Sequence, residues 1–394
     1  MKILVCNAGS STLKFSLFEA EREELLADGS IDWAAKPARL RWRRAAQVEV
    51  RAELTIERPD EAIARILHDL QSGPSAPLRD KDDVQAVGHR VVHGGPRYSA
   101  AVRITPDVKR TIGELSELAP LHNPASLECI TVFERVLPGA AQVAAFDTAF
   151  HATLSEAART YPVPRAWTRD WHVRRYGFHG LSHSYCAGRA AEMIGRKNLR
   201  LIIAHLGNGA SMSAVRDGRC VDTSMGFTPL EGLMMGTRSG TVDPGLLIYL
   251  LRHKGLDADG LDRALNHESG LLGVSGVSSD MRQVLAAFPD NPEARLAVDI
   301  YVHRIRQTIG AMAATLGGVD GLVFTAGVGE NSAEIRARVC ADLGFLGLTM
   351  DQQANESRRP DADIASPASP ARILVIGTRE DLTIVRETRR LLGS

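Results

Sequence analysis

The feature that most constrains the fold is a strand–turn–strand pattern that occurs twice. Residues 2–18 contain two apolar runs joined by a polar turn at residues 7–12, and residues 200–215 repeat this layout around a turn at residues 207–211. Small residues at both turns let the backbone approach a ligand closely, and hydroxyl and amide groups there suit phosphate. The pattern predicts a duplicated α/β chain whose two halves face one phosphorylated ligand.

Length and charge narrow the class of protein. The chain has 394 residues, more than one hydrophobic core usually serves, so we expect two domains. Lys plus Arg and Asp plus Glu each number 47. Because no overall field favours nucleic acid or an anionic membrane, neither is predicted as a partner, and any anion site must be local.

The cysteines give no sign of a disulfide framework or a zinc knuckle, because none follows the Cys-x-x-Cys spacing. They are Cys6, Cys129, Cys186, Cys220 and Cys340. The N-terminus does not resemble a signal peptide, and no apolar run approaches the roughly 20 residues that span a bilayer. We expect reduced thiols and a soluble, cytoplasmic protein.

The least regular stretch of the first half covers residues 29–46 and includes a basic run at residues 39–44. With zero net charge and no second basic cluster, this run favours a solvated face over a nucleic-acid patch. We expect an irregular segment here.

Apolar residues at helical spacing predict a helix over residues 299–316, and a strand is expected over residues 321–326. The glycine-rich residues 327–331 follow, and Asn331 with Glu334 fits a capping box for the next helix. Glycines between a strand end and a helix start are typical of nucleotide sites in α/β proteins. Taken alone, this loop fits an ordinary turn at least as well, and it does not follow the Walker pattern.

The first polar turn has two interpretations. Ser10, Ser11 and Thr12 offer hydroxyl groups and Lys14 a positive charge, which suits phosphate. An ordinary hairpin turn with an exposed lysine explains the same residues equally well. The second copy, at residues 205–209, favours the phosphate interpretation.

Three cationic side chains lie in glycine-rich segments, namely Arg90, His179 and Arg238. Arginine recognises carboxylates and phosphates through paired hydrogen bonds. Two such groups and a histidine are typical of a site that holds a transferring phosphoryl group.

Other polar residues have competing interpretations. His179 and His183 have the spacing of a zinc pair, but Gly180 intervenes and no glutamate accompanies them, which disfavours metal binding. His122 by itself fits a core histidine. Asp147 follows an apolar strand, where it fits a catalytic carboxylate and a helix N-cap equally well.

Together these residues resemble the acetokinase family, the acetate kinases, within the superfamily of sugar kinases, actin and heat-shock chaperone ATPases. The motifs that carry the resemblance are residues 7–11, 88–95, 121–124, 146–151, 175–179, 205–211, 228–240 and 325–332. The resemblance implies a duplicated ribonuclease-H-like (actin-like ATPase) α/β fold with two domains around a cleft. It places residues 1–148, completed by a C-terminal helix at 382–394, in one domain and residues 149–381 in a nucleotide-binding domain. It also implies a homodimer.

The resemblance assigns roles residue by residue. It implies that Asn7 and Glu380 hold Mg²⁺, with Mn²⁺ as the alternative metal. The residues implied at the ATP site are Ser10, Thr12, Lys14, His205, Leu206, Gly207, Asn208, Gly209, Asp280, Met281, Arg282, Gly327, Val328, Gly329, Glu330 and Asn331. The residues implied at the reacting centre are Arg90 for the substrate carboxylate, Asp147 as acid or base, His179 and Arg238 as transition-state stabilisers, and His122.

The implied reaction is reversible transfer of a phosphoryl group from ATP to acetate, giving ADP and acetyl phosphate by in-line displacement. A small apolar pocket for the substrate methyl group is implied at Val92, Leu121, Phe178 and Pro229. Valine at position 92 leaves less room than alanine and favours acetate over propionate, although one methylene discriminates by only about 1 to 3 kcal/mol. Two alternatives stay open: a propionate or other short-chain acyl kinase, and a nucleotide-driven switch module of the same superfamily.

The chain departs from the family pattern at a few positions. Thr12 replaces a serine, Leu181 a threonine and Thr241 an aspartate, and residues 379–381 vary the common Asn-Glu-Glu. These departures bear on nucleotide preference and rate but do not change the reaction class that the resemblance implies.

Overall fold

The computed structural model describes residues 1–45, 48–120 and 122–393, and its chain divides into two compact units. The first unit comprises Met1–Ala149 and Arg379–Ser394. The second unit comprises Phe150–Thr378.

Strands and helices occur in both units. The strands are β1 (Lys2–Ala8), β2 (Thr12–Glu19), β3 (Glu24–Asp32), β4 (Ala38–Arg44), β5 (Val50–Leu54), β6 (Val84–Val91), β7 (Val102–Arg103), β8 (Ala141–Phe146), β9 (Arg200–Leu206), β10 (Ala210–Arg216), β11 (Arg219–Thr223), β12 (Gly321–Thr325), β13 (Ala362–Asp363) and β14 (Arg372–Val375). The helices are α1 (Pro59–Gln71), α2 (Pro106–Glu114), α3 (Asn123–Val136), α4 (Glu156–Arg159), α5 (Arg165–Asp170), α6 (Gly180–Ile194), α7 (Pro244–His253), α8 (Ala258–His267), α9 (Gly270–Ser275), α10 (Met281–Ala287), α11 (Pro292–Leu316), α12 (Ala326–Asn331), α13 (Ala333–Cys340), α14 (Gln352–Ser357) and α15 (Glu380–Leu392). Short 3-10 turns occupy Lys81–Asp83, Leu115–Glu117, Ala149–Thr153 and Gly344–Leu346.

The sheet of the first unit has the order β5-β4-β3-β2-β1-β6-β8-β7. Strand β1 pairs antiparallel with β2 and parallel with β6, and β6 pairs parallel with β8. The sheet of the second unit has the order β11-β10-β9-β12-β14-β13. There β9 pairs antiparallel with β10 and parallel with β12, and β12 pairs parallel with β14. Six strands of each unit, β3-β2-β1-β6-β8-β7 and β11-β10-β9-β12-β14-β13, therefore follow the same order and directions, which confirms the predicted duplication and both hairpins.

The expectation of an irregular segment over residues 29–46 is wrong for its described part. Strand β3 extends to Asp32 and β4 follows, and these strands pair antiparallel. In β4 the alternate side chains Ala38, Leu40 and Trp42 are buried while Arg39 and Arg41 are exposed. The basic run is thus the solvated face of an amphipathic strand. Ala46 lies outside the described residues.

The predicted helix over residues 299–316 is confirmed within α11, which begins earlier, at Pro292. Asn291 caps it by accepting a hydrogen bond from the backbone N–H of Ala294 at 2.9 Å. A proline in the first turn and an asparagine cap are both typical helix starts. Those signals lie seven and eight residues before the stretch whose apolar periodicity identified the helix.

The predicted cap at Asn331 is wrong. The glycine-rich residues 327–331 belong to the short helix α12, and Ser332 caps the following helix α13 by accepting from the backbone N–H of Ile335 at 3.3 Å. The Asn331 amide instead donates to the carbonyl of Gly327 at 2.8 Å. The strand β12 therefore leads directly into a helical turn at the glycines.

The C-terminal helix α15 belongs to the first unit and packs on β6. Gly88 permits this approach, because a Cβ at position 88 would lie 2.4 Å from Cγ2 of Ile384. Leu382 and Val385 are also buried on this helix. Among the described residues, none of the helices combines the length and apolar character that a bilayer crossing requires.

Candidate active site

In the first unit, Arg90 lies near the end of β6, and three of its nitrogens donate hydrogen bonds to two residues. Its Nε and Nη2 donate to the two carboxylate oxygens of Asp147 at 3.1 and 2.5 Å. Its Nη1 donates to Oδ1 of Asn7 at 3.2 Å. Parallel pairing of β1, β6 and β8 brings the ends of these strands together, which explains why three distant residues meet. Asp147 therefore binds an arginine, a different task from the helix N-cap that its sequence position also allowed.

Burial and neighbouring charges shift the pKa values of Arg90 and of Glu380 in this site. Burial of Arg90 opposes its charge, but Asp147 and Glu380 outweigh this effect and raise the pKa of the guanidinium. Burial raises the pKa of the Glu380 carboxyl, and Asp147 adds to this, although Arg90 and Lys14 act in the opposite direction. The net result is a raised pKa for Glu380, which a further cation nearby would lower.

The first polar turn is closed by its own backbone. The Gly9 N–H donates to the carbonyl of Thr12 at 2.8 Å, and Asn7 is the cross-strand partner of Lys14. Ser10 is exposed at the tip of this turn and Lys14 is exposed on β2. The sequence-predicted residues Asn7 and Lys14 are therefore brought together.

In the second unit, His179 and His183 bind the same hydroxyl group. Nδ1 of His179 and Nε2 of His183 lie 2.9 and 2.8 Å from Oγ of Ser211, a buried residue of β10. His183 lies in the first turn of α6, and His179 immediately precedes this helix. Burial and the neighbouring histidines hold the pKa of His183 well below its usual value, so this imidazole is neutral.

His205 lies against His179. Their rings stack with centroids 4.2 Å apart, and Nδ1 of His205 lies 2.8 Å from Oγ of Ser182. Ser182 in turn bonds the hydroxyl of Thr378 at 2.9 Å. Two of the sequence-predicted histidines therefore share one stack at the ends of β9 and α6.

Arg238 differs from Arg90 in its partners. Its Nη1 donates to the carbonyl of Pro229 at 3.2 Å and lies 3.7 Å from Sδ of Met235. No carboxylate in the described part of the chain pairs with it, and burial lowers its pKa. A Cβ at Gly209 would lie 3.5 Å from both Nη1 of Arg238 and Nε2 of His179. The guanidinium, the imidazole and the second polar turn thus meet at one point.

A cavity of about 660 Å³ lies beside this turn in the second unit. Its walls include Gly207, Asn208, Leu271, Ser279, Asp280, Met281, Arg282, Leu285, Gly327, Val328, Asn331 and Ser332. Three segments that the resemblance assigned to ATP therefore share one cavity. Of the other residues assigned there, Leu206 and Gly329 are buried, and Glu330 accepts from the backbone N–H groups of Ala326 and Thr378 at 2.9 and 2.8 Å.

The residues assigned to the substrate methyl group belong to different units. Val92 is buried in the first unit, directly after β6. Phe178, which is buried, and Pro229 belong to the second unit. Leu121 lies outside the described residues. His122 occupies the N-cap position of α3, where its carbonyl accepts from the Ser126 hydroxyl at 3.2 Å.

The sequence profile of the acetokinase family matches residues 2–386. The chain belongs to the acetokinase family. It is 50% identical to an acetate kinase of Gloeobacter violaceus (strain ATCC 29082 / PCC 7421), and the match covers 98% of each chain.

Two solved structures have the same fold as this chain. The crystal structure of Porphyromonas gingivalis acetate kinase matches with a TM-score of 0.93 and 42% identity, covering 99% of each chain. The crystal structure of a propionate kinase from Francisella tularensis subsp. tularensis SCHU S4 matches with a TM-score of 0.92 and 38% identity, also covering 99% of each chain. The predicted family and the duplicated ribonuclease-H-like α/β fold are confirmed.

Membership of the acetokinase family settles the reaction class. The chain is a kinase, an enzyme that transfers a phosphoryl group between a nucleotide and a carboxyl group. The alternative of a nucleotide-switch module without kinase activity is therefore set aside.

Sequence reasoning missed several residues of this acetokinase. Leu271, Ser279, Leu285 and Ser332 line the cavity, and Ser211 joins two of the histidines. Ser279 and Ser332 directly flank segments that were assigned, so a wider window would have included them. Leu271 and Leu285 lie on α9 and α10 and resemble ordinary apolar helix residues, so the sequence offered no signal for them.

Proposed function

We propose that this acetokinase-family enzyme transfers the γ-phosphoryl group of ATP to acetate, reversibly, to form ADP and acetyl phosphate. The observation that carries the proposal is the position of Arg238. This desolvated guanidinium, which no described carboxylate neutralises, lies with His179 at the second polar turn, next to the cavity. A desolvated cation beside hydrogen-bond donors stabilises the charge that develops on a transferring phosphoryl group.

We propose that ATP occupies the cavity of the second unit. Glycines at positions 207 and 327 leave room for close approach of the ligand, and Leu271 and Leu285 offer apolar walls for a base. Asp280 is held by the Arg282 guanidinium, whose Nε donates to it at 3.1 Å. Apolar surface with a few polar groups is the usual composition of such a site.

Arg90 is proposed to bind the acetate carboxylate. Three of its five N–H donors contact Asp147 and Asn7, and the other two, which bond to none of the described residues, are proposed to bind the second carboxylate. A carboxylate needs no base to attack phosphorus, so positioning and charge neutralisation carry the catalysis. Since both oxygens of Asp147 accept from Arg90, its proposed role is to orient this arginine.

We propose Asn7 and Glu380 as the residues that hold the divalent ion, Mg²⁺ or Mn²⁺. Both supply oxygen ligands, which these hard cations prefer. The raised pKa of Glu380, caused by burial and by Asp147, fits a position that a cation would stabilise. When bound, the ion supplies positive charge to the phosphates.

Acetate is proposed as the preferred acid because Val92 narrows the site for the substrate methyl group. The similarity to a propionate kinase keeps propionate as the second candidate. One methylene changes the specificity constant by about 10- to 200-fold at most, so the two acids need direct comparison.

We propose a homodimer because helix α7 carries several exposed apolar side chains. No residue of this helix is buried, and Leu246, Ile248, Tyr249 and Leu251 are each 44 to 50% exposed. An apolar surface of this kind is typical of an interface, and a second copy of the chain is its proposed partner. Light scattering should show a dimer that Ile248→Glu with Leu251→Glu dissociates, whereas Leu391→Glu, at another exposed leucine, does not.

The test of the proposed reaction is formation of acyl phosphate, trapped with hydroxylamine, from ATP, Mg²⁺ and either acetate or propionate at matched subsaturating concentrations. Faster product from acetate supports the proposal. Faster product from propionate would keep the reaction and change the substrate. No acyl phosphate from folded protein that binds ATP would overturn it.

A further inference from the structure

The hydroxyl of Ser211 lies between two imidazoles and has one proton to give. It is 2.9 Å from Nδ1 of His179 and 2.8 Å from Nε2 of His183, and Ser211 is fully buried. A hydroxyl can donate to one of these nitrogens, so it must accept from the other. The direction of this bridge decides which nitrogen of His179 carries a proton.

His183 sets the direction. This imidazole is fully buried and neutral, so it carries one N–H. Its Nδ1 has no hydrogen-bond partner among residues 1–45, 48–120 and 122–393. A proton on Nδ1 would bury a donor without an acceptor, which is rarer in native proteins than a buried acceptor without a donor. The proton therefore lies on Nε2 of His183 and is donated to Ser211.

The rest of the chain of bonds follows. Because Ser211 accepts from His183, its own proton is donated to Nδ1 of His179. A neutral His179 with an accepting Nδ1 carries its proton on Nε2. That nitrogen is the one directed to the point that Nη1 of Arg238 also approaches, since each lies 3.5 Å from a Cβ placed on Gly209.

We propose that Ser211 and His183 are positioning residues that fix His179 as the Nε2–H tautomer, so that it donates a hydrogen bond to the transferring phosphoryl group. This inference rests on the proposed role of His179 in the proposed function. The opposite tautomer would present a lone pair to the phosphoryl oxygens, and the two would repel each other.

The backbone supports a constrained imidazole. His179 adopts a φ of 58°, in the left-handed region that residues with a Cβ seldom occupy. Such strain persists only where the surroundings hold it, and it concentrates at functional sites. The stacked ring of His205 further fixes the plane of the His179 ring.

The first test reads the tautomer directly. The full chain is labelled with ¹⁵N-histidine, and the His179 signals are assigned by difference from His179→Gln. We expect a protonated Nε2 and an unprotonated, accepting Nδ1 on His179 at pH 7.5. A protonated Nδ1 would overturn the proposal whether or not the enzyme makes acyl phosphate, so its failure is distinct from failure of the proposed function.

The second test uses matched variants. Ser211→Ala should mix the two tautomers and lower kcat by about 10- to 100-fold, by analogy with the loss of groups that orient a metal-binding histidine, with KM for ATP within about twofold. Ser211→Thr, which keeps the hydroxyl, should restore both readouts. Ser213→Ala, at a buried serine two positions along β10, is the control and should change neither.

His183 provides an independent pair of variants should Ser211→Ala fail to fold. His183→Gln keeps a donor at the position of Nε2, and His183→Leu removes it. We expect the glutamine variant to retain the Nε2–H tautomer of His179 and the leucine variant to lose it. Equal tautomers and equal kcat in the two variants would contradict the proposal.

Discussion

The two units share a strand order but differ in the partners of a partly buried arginine. In the first unit, Arg90 is paired with Asp147 and bonded to Asn7. In the second unit, Arg238 contacts a carbonyl and a sulfur, and no described carboxylate neutralises it. The two units thus share a backbone arrangement but differ in local charge. Asp147 neutralises Arg90, whereas Arg238 keeps an unpaired positive charge among the described residues.

This difference suggests a division of work between the units. A guanidinium that is already paired is rigid and suits recognition of a substrate carboxylate by its remaining donors. A desolvated, unpaired guanidinium interacts strongly with any negative charge that appears beside it. Variants at the two arginines separate these two behaviours.

The largest effect is expected for Arg238→Ala. It should lower kcat by about 10³-fold or more, the range seen when an arginine that stabilises phosphoryl transfer is removed, while ATP binding and folding stability change little. Steady-state kinetics, calorimetric titration with ATP and urea denaturation measure the three quantities. Arg219→Ala, at an exposed arginine of the same unit, is the control. Activity near that of wild type would show that the unpaired arginine has no special role.

Arg90→Ala should reduce kcat/KM for acetate by about 10²-fold and also destabilise the protein. The buried Asp147 would lose its partner, which costs about 3 to 5 kcal/mol where a buried ion pair is broken. Urea denaturation of the single variant Arg90→Ala and of the double variant Arg90→Ala/Asp147→Ala tests whether the unpaired Asp147 causes the loss of stability. Stability should return in the double variant while activity does not. A single variant as stable as Arg238→Ala would break the comparison between the two arginines.

Val92→Ala asks whether the first unit also decides which acid is used. Removing two methyl groups should raise kcat/KM for propionate relative to acetate by about 10-fold, since one methylene is worth about 1 to 3 kcal/mol. Parallel assays with both acids measure the ratio. Val91→Ala, at the buried valine that directly precedes Val92, is the control for a general packing defect. An unchanged ratio in Val92→Ala would remove this residue from substrate selection.

The smallest effect concerns pH and a buried histidine of the first unit that contacts no substrate in the proposed reaction. Burial lowers the pKa of His89 to about 4, below its unfolded value near 6.5. Because the unfolded chain binds the proton more readily, His89 stabilises the fold above pH 6.5, and this contribution is lost as pH falls towards 4. Between pH 6.5 and 5.5, wild type should lose about 1 kcal/mol more unfolding free energy than His89→Gln.

Urea denaturation at the two pH values measures this difference, and kcat at pH 7.5 should be similar in the two proteins. Parallel pH dependence of wild type and His89→Gln would show that His89 is not the group responsible.

Much of the fold could be predicted from the sequence because local patterns encode it. The two hairpins and the helix α11 were visible as apolar periodicity and polar turns. Strand β4 was missed even though its alternate residues Ala38, Leu40 and Trp42 are apolar, because the intervening arginines were interpreted as a charge cluster. Helix α12 was missed because glycines are poor helix formers, and tertiary context overrides that preference.

The candidate site could be predicted only in part. The family motifs brought Asn208, Asp280 and Gly327 into one predicted ATP site, and these residues line one cavity. The roles of Leu271 and Ser211 could not be predicted, because an apolar helix residue and a strand serine have no distinctive local pattern.

The sequence by itself determined the duplicated hairpins, the family and the residue types available for chemistry. Only the tertiary structure decided their electrostatic state. Asp147 lies 57 positions from Arg90 yet pairs with it, whereas no described carboxylate reaches Arg238. The physical reason is that Coulomb energy and desolvation depend on distance in space and on burial, and neither follows from separation along the chain.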